Sequence, residues 1–160
     1  MKFSAERTSR WLVWLTVLAA LMLMLVPLPR FLSLLRPPLV ALTLLYWSTM
    51  APRAGGILVA FLAGLMMDLL QGTLLGEHAL ALCLIAYLAA RLHLMTRAKP
   101  IFEQGLLVFI GLLLHEGLLW AIDGWSGHPL NSWLRWLPCL TGAAAWPIVV
   151  GLLGRLHAPR

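Results

Sequence analysis

Apolar residues run through the chain in six blocks, each closed by a short polar or proline-containing stretch. The blocks predict helices over about 11–26, 39–50, 54–71, 76–95, 101–122 and 132–156. Pro27 and Pro29 end the first, because proline lacks a backbone donor and restrains the residue before it. The second block is short for a crossing that needs about 20 residues. Either its helix begins before Pro38, or a tilted neighbour thins the membrane there.

One pattern stands out within residues 56–76. Read in steps of four, it gives Gly56, Ala60, Gly64, Asp68, Gly72 and Gly76. Residues four apart share a helix face. A ridge of small residues lets another helix approach backbone to backbone, which is how helices gain packing energy in lipid. Asp68 on that ridge is expected to face protein, since a carboxylate in hydrocarbon costs at least ~2.5–3.5 kcal/mol on insertion scales. Two readings stay open. Asp68 serves a site or a partner contact, or it ties two helices together or caps the helix after Gly72.

Composition turns these helices into membrane helices. Of 160 residues, 61% are hydrophobic and only 11% charged, and the mean hydropathy is +0.89. A soluble domain of this size has no use for so much apolar surface. The expectation is a single all-α integral membrane domain over residues 1–160. The net charge of +6 would point to nucleic acid in a soluble protein. Here the basic residues fall between apolar blocks and read as topology signals and lipid head-group contacts. With the N-terminus inside, Lys2, Arg7, Arg10, Arg53, Arg91, Arg97, Lys99, Arg155 and Arg160 lie on the inner side, against Arg30, Arg36 and Arg135 outside. Nine against three predicts six crossings with both termini cytoplasmic. The first block has a basic start, like a signal peptide. It is long for one and ends in Pro-Leu-Pro-Arg without a small-residue cleavage site, so a retained helix is expected.

Polar residues inside the blocks are few. Asp68 lies roughly 21 Å along its helix from residue 54, and Glu116 roughly 22 Å along its helix from Ile101, at 1.5 Å per residue. Both fall in the outer half. The outer connections add Arg30, Arg36, Glu77, His78 and Arg135. A polar cluster is expected there, with Arg30 or Arg36 reaching Asp68. His115 beside Glu116 reads as a proton relay or as a plain helix–helix contact. Cys83 and Cys139 lie in apolar blocks without metal-ligand spacing and read as small buried residues. No nucleophile elbow, HExxH or P-loop occurs. No catalytic residue, metal or cofactor is assigned.

Two stretches carry a resemblance: Arg36-Pro-Pro-Leu-Val-Ala-Leu-Thr-Leu-Leu-Tyr-Trp47, and Gly64-Leu-Met-Met-Asp68-Leu-Leu-Gln-Gly72-Thr-Leu-Leu-Gly76. Leu84-Ile-Ala-Tyr87-Leu extends it. The chain resembles the bacterial rod shape-determining MreD family. The resemblance implies a non-enzymatic inner-membrane component of the cell-elongation machinery. It implies direct binding to MreC, a larger complex with MreB, RodZ, RodA and a penicillin-binding protein, and a part in lateral peptidoglycan synthesis. It also implies a fold similar to the substrate-binding component of energy-coupling-factor transporters. Asp68, Gly64, Gly72, Gly76 and Glu116 are then partner-binding or structural residues, and self-association as a homodimer is left open. The rival readings are a vitamin-type or lipid-binding transporter subunit, with the same acids lining a pocket, and a proton-coupled carrier using Glu116.

Overall fold

Residues 10–127 and 133–157 are described by a computed structural model. Their regular structure is entirely helical: α1 (Arg10–Leu25), α2 (Arg30–Leu34), α3 (Leu39–Met50), α4 (Ile57–Gln71), α5 (Glu77–Arg91), α6 (His93–Arg97), α7 (Ile101–Trp125) and α8 (Leu137–His157). A short 3-10 turn, Trp133–Trp136, leads into α8. Three stretches are long and apolar enough to cross a membrane: Phe31–Met50, Ile101–Trp125 and Trp133–Leu156. Arg10–Leu25 and Ile57–Gln71 are shorter apolar helices.

The centre belongs to α3. Every residue from Val40 to Thr49 is buried. A helix apolar on all sides has no solvent face to offer and is enclosed. Its hydroxyls are satisfied locally: Thr43 Oγ1 donates to Leu39 O at 2.8 Å and Thr49 Oγ1 to Leu45 O at 2.7 Å. Trp47 Nε1 reaches across to Thr16 Oγ1 on α1 at 2.8 Å.

Long helices that follow one another in the chain run in opposite directions. Arg36 meets the end of α1 while Trp47 meets its middle. Trp146 Nε1 donates to Gln104 Oε1 at 3.3 Å near the start of α7, and Arg135 pairs with Glu116 further along it. This alternation separates the charges. One end of the bundle gathers Arg10, Arg53, Arg91, Arg97, Lys99 and Arg155. The other gathers Asp68, Glu77, Glu116 and Asp123, with Arg36 and Arg135. Glu103, at the basic end, is paired with Lys99.

Several boundaries differ from the sequence expectation: α7 runs to Trp125 rather than 122, and α8 begins at Leu137 after the 3-10 turn. The helix expected from 54 begins at Ile57, because the preceding turn folds back on α3. Ser48 Oγ donates to Gly55 O at 2.9 Å, and a Cβ on Gly55 would lie 2.4 Å from Trp47 Cβ. The helix expected over 76–95 breaks at Leu92 into α5 and α6. The start expected for the last helix, at residue 132, lies outside the described residues.

A polar cluster at one end of the bundle

The site is built from the hairpin of α4 and α5. Along α4, Ala60, Gly64 and Asp68 are all buried, so the ridge of small residues is turned inward. It faces α5, with Gly64 against Ala79 and His78. Gly72 ends α4 at φ +66° and Gly76 begins α5 at φ +101°. Both lie in the left-handed region that favours glycine. Two such residues in five let the chain double back over the end of α4.

That reversal surrounds Asp68 with donors. Its side chain is within the protein, the residue being 1% exposed. Oδ2 accepts from the Gly76 amide at 2.8 Å. Oδ1 accepts from the His78 amide at 2.9 Å and the Thr73 hydroxyl at 3.1 Å, and lies 2.9 Å from His78 Nδ1. A buried carboxylate is tolerable when its lone pairs are met in this way. The arrangement also answers the orphan amides of the first turn of α5, which have no intrahelical acceptor.

From His78 the polar groups continue across the bundle end. The His78 and His115 rings lie 6.4 Å apart between centroids. His115 Nδ1 is 3.5 Å from Glu116 Oε1, too far for a well-made hydrogen bond. Neither His115 ring nitrogen has a hydrogen-bond partner among the described residues, though the residue is only 3% exposed. Glu116 Oε2 takes Arg135 Nε at 3.4 Å, and Arg135 Nη1 also holds Asp123. The Glu77 carboxyl is buried and within reach of Asp123. One guanidinium therefore holds two acids from α7, and α5 contributes a third beside them.

The expected residues are thus partly gathered and partly not. Asp68, His78, Glu77 and Glu116 share one end of the bundle. Arg36 stands apart from Asp68: its Nη1 donates to Met24 O at 2.9 Å and Val26 O at 3.1 Å, satisfying carbonyls where Pro27 stops α1. The expectation that Arg36 neutralises Asp68 is replaced by a set of donors within ten residues of it. The side chain of Arg30 lies outside the description. Thr73 and Asp123 were not anticipated. Thr73 carried a signal, being five residues past Asp68 inside a glycine-bounded turn.

Chemically the cluster can hold charge and fix helices. Among the described residues no group of three or more His, Cys, Asp or Glu is arranged to hold a metal ion. Cys83 and Cys139 are free, on different helices. A groove lined by Leu45, Ile85, Leu88, Val108, Gly111 and their neighbours lies elsewhere, between α5 and α7.

Residues 5–156 match the family described as rod shape-determining protein MreD. The chain is 31% identical over 150 residues to the rod shape-determining protein MreD of Haemophilus influenzae, covering 91% of this chain and 93% of that protein. No solved structure matches it.

Proposed function

Since the chain belongs to the MreD family and so has a role in rod shape determination, we propose that it is a non-enzymatic scaffold of the cell-elongation machinery. It works in the inner membrane, crosses six times with both termini cytoplasmic, and binds MreC directly. Through MreC it joins MreB, RodZ, RodA and a penicillin-binding protein in directing lateral peptidoglycan synthesis. The observation that carries this reading is the family match over nearly the whole chain.

We further propose where a partner helix would lie. The small-residue ridge and Asp68 are used inside the chain, so they serve docking only by holding α4 in place. α1 and α4 touch little and leave a crevice lined by Leu21, Met24, Leu25, Met67, Leu70 and Gln71. Its walls are apolar and methionine-bearing, which suits an adaptable helix contact. Leu15, Met22, Leu58 and Leu69 are further exposed apolar residues of the same two helices. We assign the transmembrane helix of MreC to this crevice.

The test fills it. Leu25→Trp and Leu70→Trp, at exposed positions of the lining, are expected to cut MreC co-purification at least fivefold and to round the cells. Ile148→Trp, on the exposed face of α8, serves as control and leaves both unchanged. Normal MreC recovery and normal rods from both crevice variants, expressed at wild-type level, remove the assignment.

A further inference from the structure

The break between α5 and α6 has no part in the polar cluster. It shapes an open apolar groove bounded by α3 (Leu45, Thr49), α5 (Ile85 to Leu92) and α7 (Leu107 to Leu114), and closed at one end by Thr96 of α6. The groove holds about 120 Å³. That is well below the ~300 Å³ where drug-sized ligand pockets begin. Its two long walls, Ile85 to Leu92 and Leu107 to Leu114, each extend over eight residues, seven steps or roughly 10 Å at 1.5 Å per residue. One leaflet's hydrocarbon is roughly 15 Å deep, half of a ~30 Å core. The dimensions suit part of one hydrocarbon chain.

The groove is apolar, and the segment past its closed end is basic. The wall is apolar even at Thr96, whose hydroxyl is turned back to Leu92 O at 3.1 Å. Gly111 keeps the floor open, with only Leu45 side-chain atoms near where a Cβ would stand. At the closed end the chain turns through the basic segment. Arg91 ends α5 and Arg97 ends α6, both exposed. Neither has a carboxylate partner among the described residues, whereas nearby Lys99 is held by Glu103. α6 itself exposes Leu94 and Met95 beside its basic residues, the composition of a segment lying at the membrane surface.

We infer that this groove is a binding site for an anionic glycerophospholipid, one acyl chain lying between α5 and α7 and the phosphate held at Arg91 and Arg97. Basic pockets between helices on the positively charged side of a membrane protein bind such head groups. The site is separate from the α1–α4 crevice and does not depend on the reading given there.

The experiment measures lipid retention by the purified full chain using phosphatidylglycerol, phosphatidylcholine of the same acyl composition, and inorganic phosphate as probes. Phosphatidylglycerol is expected to be retained at least threefold better than phosphatidylcholine and to raise the thermal midpoint, with phosphate alone inert. The double variant R91Q/R97Q is expected to equalise the two lipids. Ala89→Phe, which fills the groove, is expected to lower retention of both. A phosphatidylglycerol carrying a photoreactive acyl chain is expected to label residues 85–96 or 107–114, which keeps the test decisive even if Ala89→Phe fails to fold. Equal retention of the two lipids by the wild type, stabilisation by phosphate alone, or labelling confined to other helices overturns the site.

Discussion

A Cβ built on Gly64 would stand 2.2 Å from the Cα of Ala79, so α4 and α5 meet backbone against backbone at that level. No flexible side chain lies between them to yield. Gly64→Ala must therefore push α5 away from α4, at a cost of roughly 1–3 kcal/mol for overpacking. Gly117→Ala makes the contrast. Nothing stands within 4 Å of its Cβ position, and a mid-helix glycine replaced by alanine gains up to about 1 kcal/mol. Thermal unfolding in detergent should thus separate two identical substitutions in sign. Equal behaviour would mean that the close approach contributes nothing.

Asp68→Asn retains shape and loses charge. Its amide would place a donor against at least one of the Gly76 and His78 amides, leaving a buried donor unmet at about 1–3 kcal/mol. Hydrogen exchange of these two amides is the direct readout, and both should exchange faster than in the wild type. Unchanged protection would show that the carboxylate is not what holds the turn. Asp68→Leu removes every acceptor and is expected to lower the folded yield. Any loss of MreC binding in that variant then follows from loss of the hairpin.

Arg135, on the 3-10 turn, pairs with both Glu116 and Asp123 of α7. A double-mutant cycle of Arg135→Gln with Glu116→Gln isolates their coupling, expected within the 0.5–3 kcal/mol seen for residues in one network. The full 3–5 kcal/mol of a broken, fully buried pair is not expected, because the Arg135 side chain keeps 18% of its surface exposed. Strict additivity of the two substitutions, measured by denaturant unfolding, would refute the link.

Much of the architecture could be read from the apolar blocks. Leu39–Met50 appears at the bounds expected for it, and α7 begins at Ile101 as expected. The four-residue spacing correctly turned Asp68 away from lipid, because helical geometry alone decides which residues share a ridge. The carboxylate's partners were a different matter. They depend on two left-handed glycines reversing the chain, and sequence spacing does not convey where a turn delivers its amides. Arg36 was misdirected for a related reason: carbonyls freed by Pro27 compete for its guanidinium, and they are closer in the chain than Asp68. The break at Leu92 has neither glycine nor proline to announce it, so the helical pattern read straight through. The centrality of α3 was hidden by its own uniformity, since apolar residues all round the helix leave no face to orient it.

That enclosure of α3 bears on how the protein copes with different bilayers. Twelve residues of helix measure roughly 18 Å, far short of a ~30 Å hydrocarbon core. An element of that length facing acyl tails would pinch the membrane or lean on its flanking residues. Ringed by other helices, α3 meets only protein, and the fit to lipid thickness falls to the helices around it, of which α7 and α8, with 25 and 21 residues, are the longest. Tilting of those two outer walls can take up a thicker or thinner bilayer while the innermost rod stays undisturbed.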